Sequence, residues 1–192
     1  VANALQDKAP APLVKPYDDW DTIAGQGTCG AEVIAQIPAV IDTAIICTGG
    51  GGLAAGIGTY LKSHYPDTRV VTAEPEGWHD HYLSFQRGER VKAPGDGTQW
   101  CDGLLAPIPG ELTFSINQAN DAEGLCVSDE GVATAVRTVW QCLGIKLEPS
   151  GAVALGALLS RPELFQGQRV LVTLTGGNVD DQRFSACLAL AG

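Results

Sequence analysis

Gly49-Gly-Gly-Gly52 is the segment of this sequence best equipped for chemistry. Four consecutive glycines join an apolar run, residues 42–47, to a helix-forming stretch, residues 53–63. With no side chains in the way, several backbone N–H groups stand free beside the positive end of a helix dipole. That is an anion cradle, and phosphate is the usual anion. A lone glycine would read as a tight turn, but four before a clean helix start do not. No Gly-Lys-Ser/Thr follows, so the segment is no P-loop, which argues against a nucleotide triphosphatase. Glu74 lies roughly 20 residues further on, where a dinucleotide site keeps the acidic residue that takes a ribose hydroxyl. Spacing alone therefore leaves NAD open.

The elements that must position this loop follow from periodicity. Val33, Ile34 and Ile37 recur at helical spacing and Pro38 stops the run, which predicts a helix over residues 23–37. The continuous apolar run 42–47 fits a strand buried on both faces, and residues 68–73 predict a second one. Helices are expected over 53–63, 129–143 and 151–159. A third strand is expected over 169–175, ending in Thr175-Gly-Gly-Asn178. Residues 87–109 read as loop, and residues 1–16, with three prolines and no capping signal, read as an element entered part-way. The strand–helix–strand order predicts an α/β fold, an open parallel sheet with helices on both faces. The glycines then sit at a strand's C-terminal end, where ligands of open sheets bind.

The chain has 192 residues, 45% hydrophobic, with 24 glycines, which suits one globular domain. Twelve basic against 22 acidic residues give a formal charge of −10, which repels nucleic acid and anionic membrane surfaces. The apolar stretches fall short of the roughly 20 residues a membrane span needs, and no signal-peptide pattern opens the chain. Six cysteines without a CxxC pair read as free thiols in a reducing cytoplasm.

Six segments, in one order, resemble the fold-type II pyridoxal-phosphate family in its serine/threonine dehydratase and serine racemase branch. They are Pro16-Tyr-Asp-Asp-Trp-Asp-Thr-Ile-Ala-Gly-Gln-Gly-Thr28, Thr48-Gly-Gly-Gly-Gly-Leu-Ala-Ala-Gly56, Ala73-Glu-Pro75, Cys101-Asp-Gly103, Glu148-Pro-Ser-Gly-Ala-Val153 and Leu174-Thr-Gly-Gly-Asn-Val-Asp180. The resemblance covers nearly the whole chain and decides for pyridoxal 5'-phosphate over NAD. It implies the large-domain portion of the tryptophan-synthase-β-like fold. It also implies that Gly49, Gly50, Gly51 and Gly52 bind the cofactor phosphate, with Leu53 opening the helix behind them. The Thr175 hydroxyl is expected to face the pyridine nitrogen, and Glu148 matches an acidic residue near the cofactor.

The branch often holds a divalent cation through a glutamate, a backbone carbonyl and an aspartate, which here implies Glu74, Trp78 (carbonyl) and Asp80. Such oxygen donors suit Mg²⁺, Mn²⁺ or Ca²⁺. His79 and His81, one residue apart with no cysteine or third histidine nearby, make a poor zinc set and read as surface histidines.

Members of the family carry a Schiff-base lysine in Ser-x-Lys-x-Arg-Gly surroundings, an asparagine loop beneath the ring and a small domain, all before the point where the match begins. None of Lys8, Lys15, Lys62, Lys92 and Lys146 has those surroundings. Four of them read as solvated surface charges, and Lys15 only precedes the match at Pro16. Residues 1–192 are thus expected to be the C-terminal portion of the large domain, with no catalytic residue of their own and no turnover alone. The implied reaction is β-elimination from serine, threonine or 3-hydroxyaspartate to a 2-oxo acid and ammonia, with racemisation as a variant. The expected partner is the N-terminal part of the same enzyme, as another chain or a cleaved fragment, in a homo-oligomer. A degenerate relative that only binds phosphate ligands or proteins is the alternative, and the intact motifs favour the first. The match ends without a regulatory domain, as expected of a catabolic-type dehydratase or a racemase.

Overall fold

The computed structural model describes residues 13–190. The sequence readings for residues 1–12 and for Lys8 lie outside them. The chain runs α1 (Trp20–Gln36), β1 (Thr43–Cys47), α2 (Gly52–His64), β2 (Arg69–Pro75), α3 (Asp80–Arg87), α4 (Glu111–Ala119), β3 (Glu123–Val127), α5 (Asp129–Leu143), α6 (Pro149–Ser160), β4 (Val170–Val172) and α7 (Asp181–Leu190). Among the described residues the strands form one parallel sheet in the order β3-β2-β1-β4.

The strands separate two apolar layers because their side chains alternate between faces. Ile45, Cys47, Val71 and Ala73 point into a core shared with α5, α6 and α7, while Ala44, Ile46 and Val70 point into one shared with α1 and α2. Helices therefore cover both faces, as expected. Local chemistry starts them: the Asp19 carboxylate accepts from the Asp21 and Thr22 amides ahead of α1, and Ser128 accepts from Gly131 ahead of α5. Glycines let α1 and α2 cross closely, since a Cβ on Gly56 would reach the Ile23 carbonyl and the Gly27 amide.

Four elements went unforeseen, namely α3, α4, β3 and α7. β3 is an edge strand whose Glu123 and Cys126 are exposed, so it lacks the apolar run that betrays β1. The strand expected over 169–175 is corrected to Val170–Val172. Beyond it the Thr173 amide still donates to the Ile45 carbonyl at 3.1 Å, but the Thr175 amide turns to the Gly151 carbonyl at 3.3 Å. Packing on α6 takes the chain out of the sheet there.

Candidate functional site

β2 lies on one side of β1 and β4 on the other, so the chain leaves β1 at the point where connections diverge. A crevice opens there at the strands' C-terminal ends. It is a cleft of about 470 Å³ lined by Gly49 to Leu53, Thr175, Cys47, Tyr17 and the 102–107 loop. The structure thus brings Gly49, Gly50, Gly51, Gly52, Leu53 and Thr175 around one space.

The glycine loop is held from behind. Thr113 donates its hydroxyl to the Gly50 carbonyl at 2.6 Å, and Asn117 its side-chain amide to the Gly51 carbonyl at 3.2 Å. Gly51 takes the left-handed conformation, φ 93°, as it enters α2. The carbonyls are tied back toward α4, while the amides of Gly49 to Leu53 find no acceptor among the described residues. That arrangement presents N–H groups to an anion.

Two residues of the first motif complete the loop, and sequence reasoning gave them no role. The Tyr17 ring lies on Gly50, leaving no room for a Cβ there, and the Tyr17 Cβ and backbone lie against Gly52. The Asp18 carboxylate accepts from the Leu112 and Thr113 amides at 2.6 and 3.2 Å, capping the helix that braces the loop. Only a partner 94 residues away gives Asp18 this job.

Thr175 is half-buried, its hydroxyl 3.9 Å from Sγ of Cys47. Glu148 does not line the cleft; its carboxylate accepts from the Asn178 amide at 2.9 Å and packs against Gly176. Ser150 accepts from the Gly103 amide at 3.0 Å, tying two of the sequence motifs together. No lysine among the described residues lines the cleft. Lys62 and Lys146 pair with Asp121 and Asp181, and Lys15 donates to the Asp18 carbonyl.

A second cluster lies behind the loop, at the turn from β2 to α3. Glu74, Asp80 and His81 are fully buried, so the surface reading of His81 is corrected. Glu74 accepts from the His81 and Tyr82 amides at 2.9 and 2.8 Å, which fixes its carboxylate on the start of α3. Both Asp80 oxygens and both His81 ring nitrogens lack hydrogen-bond partners. Unmatched buried polar atoms cost about 1–3 kcal/mol each, which makes the cluster a candidate ligand site. Burial, then the Glu74 charge, pushes the Asp80 carboxyl up to about 8. Trp78 lies in the turn itself, its amide on the Pro75 carbonyl and its indole N–H on the Thr98 carbonyl. His79 is half-buried and accepts from the Gly77 amide at 3.1 Å.

The family described as "Pyridoxal-phosphate dependent enzyme" matches residues 1–176. A beta-hydroxyaspartate dehydratase of Paracoccus denitrificans is 39% identical over 176 residues, 92% of this chain and 55% of that protein. A serine racemase of Dictyostelium discoideum is 36% identical over 179 residues, again 92% and 55% of the two chains. The processed threonine deaminase isoform 2 of Solanum lycopersicum superposes with a TM-score of 0.91 at 31% identity, covering 99% of this chain and 55% of that one. The chain spans about half the length of the curated relatives it matches. With the family pattern matched over residues 1–176 and a parallel α/β fold that superposes on a threonine deaminase, this chain belongs to the pyridoxal-phosphate-dependent enzymes.

Proposed function

We propose that residues 1–192 form the phosphate- and ring-holding part of a lyase that eliminates the β-hydroxyl of serine, threonine or 3-hydroxyaspartate, yielding a 2-oxo acid and ammonia. One observation carries this reading: the five unpaired amides of Gly49 to Leu53 and Thr175 line one cleft. Gly49 to Leu53 would hold the phosphate of pyridoxal 5'-phosphate, and Thr175 would meet its ring nitrogen. The bound cofactor supplies an electron sink for the substrate's α carbon. A neutral threonine hydroxyl leaves the nitrogen unprotonated, which favours direct loss of a β-substituent. Glu148 sets the course of the 176–178 turn, and through it the approach to Thr175.

Glu74, the Trp78 carbonyl and Asp80 would hold a divalent cation such as Mg²⁺, Mn²⁺ or Ca²⁺, which would neutralise the buried carboxylates. The Schiff-base lysine would come from a segment outside residues 1–192, so these residues by themselves would not turn over substrate. The six free cysteines support a reducing, cytoplasmic setting. No helix among the described residues is long and apolar enough to cross a membrane.

Similarity to a serine racemase supports racemisation as the second reading. One experiment separates the two: the protein is mixed with the N-terminal part, cofactor and each amino acid, then assayed for 2-oxo acid and for enantiomer. Elimination predicts 2-oxo acid as the main product. D-amino acid without 2-oxo acid overturns it in favour of racemisation, and failure to retain the cofactor overturns both.

A further inference from the structure

The cation reading leaves one member of the buried cluster without work. His81 sits in the first turn of α3 with no exposed surface. Its Nδ1 lies 3.5 Å from Oε1 of Glu74 and 3.7 Å from Oδ2 of Asp80, and neither approach is aligned as a hydrogen bond. The ring is wedged in place: its Nε2 edge lies under Gly51, where a Cβ would come within 2.5 Å of it. The opposite edge therefore faces the carboxylates.

One ligand atom from each of Glu74, Asp80 and His81 lies within 4.8 Å of the other two. Ligands bonded to one ion at about 2.0–2.2 Å stand roughly 3.0–3.6 Å apart, close to the 3.5 and 3.7 Å that separate Nδ1 of His81 from the two carboxylates. An imidazole and two carboxylates form a set that transition ions accept readily, whereas Ca²⁺ and Mg²⁺ prefer oxygen alone. The sequence argued against zinc because it supplies no third histidine or cysteine nearby. The fold supplies Glu74 from the preceding strand instead.

We propose that His81 is a third side-chain ligand, through Nδ1, and that the site selects a first-row transition ion of the Mn²⁺–Zn²⁺ class over Ca²⁺. The proposal rests on the reading of Glu74 and Asp80 as cation ligands and names the ion class that reading left open.

The test uses Mn²⁺ added to the purified protein. Pulsed electron paramagnetic resonance of the bound ion should show modulation from a coordinated imidazole nitrogen. His81→Asn, checked for folding by circular dichroism, should lose that modulation and weaken Mn²⁺ and Zn²⁺ binding by about tenfold or more, while changing Ca²⁺ affinity little. If His81→Asn does not fold, the wild-type spectrum and His81→Gln decide. Mn²⁺ that binds, responds to Glu74→Gln and Asp80→Asn, yet shows no nitrogen modulation overturns the role of His81 and spares the cation site. No Mn²⁺ binding at all overturns both.

Discussion

The Thr175 amide donates to the Gly151 carbonyl at 3.3 Å, and the two backbones meet so closely that a Cβ on Gly151 would overlap the Thr175 carbonyl. Gly151 opens α6 and Thr175 ends the run after β4, so this contact sets where the candidate ring-facing hydroxyl stands. Gly151→Ala should force the strand end away and cost about 3 kcal/mol, read by urea denaturation. Gly25→Ala, a helical glycine with nothing within 4 Å, should instead stabilise by roughly 0.5–1 kcal/mol. Equal effects at the two positions would refute the argument.

Gly50 is closed off in the same way by the Tyr17 ring. Gly50→Ala should displace the ring or the loop and weaken binding of pyridoxal phosphate by about tenfold, a loss of about 1.4 kcal/mol, in equilibrium dialysis. Pairing it with Tyr17→Ala should recover part of that loss. A double variant as poor as the product of both singles would show that the two residues act independently.

The Asp80 carboxyl titrates well above the ordinary aspartate range, pushed up to about 8 by burial and then by Glu74. Between pH about 4 and about 8 the folded state keeps a proton that the unfolded chain has released. Its contribution to stability is full at low pH, falls as pH rises through that window and levels off above it. In the absence of divalent cations, the melting temperature of the wild type should drop relative to Asp80→Asn from pH 5 to 8. Parallel curves for the two proteins would contradict the assignment.

The cysteines should divide by environment. Cys142 is exposed and should react first with iodoacetamide at pH 8. Burial, then Glu76 and Glu74, pushes Cys126 up to about 11, so it should lag although it is exposed. Cys101 is buried and held above the ordinary thiol range by burial first and then Asp129, and Cys187 is pushed up to about 11 for the same reasons. Mass spectrometry should find both unlabelled until the protein is denatured; fast labelling of Cys101 would sink the packing assigned to it.

β4 pairs only with β1 among the described residues, leaving an open sheet edge, with Leu174 beyond it 39% exposed. An open, partly apolar edge pairs readily with another chain. The protein should bind a dye specific for apolar surface and lose that binding when the N-terminal part is added. A stable monomer in sedimentation that binds no dye would favour an interaction module over a completed enzyme.

The sequence by itself determined what is local. Ala44 to Cys47 and Val70-Val71 with Ala73 are apolar on successive positions because both faces of a central parallel strand are covered, and four glycines at a strand end expose amides whatever surrounds them. The candidate anion loop and the α/β class were legible for that reason, and the six motifs carried the family. Tertiary structure decided what depends on residues far apart in the chain. Asp18 reads as one more acidic residue until the Leu112 and Thr113 amides reach it, and Thr175 as one more strand residue until Gly151 draws it off the sheet. His81 looked like a surface histidine because its neighbours in sequence are polar. Its burial comes from Gly51 above it and Glu74 beside it, contacts that exist only once β2 and the glycine loop are packed together. Periodicity reports which face of an element is buried, but not which polar group waits inside.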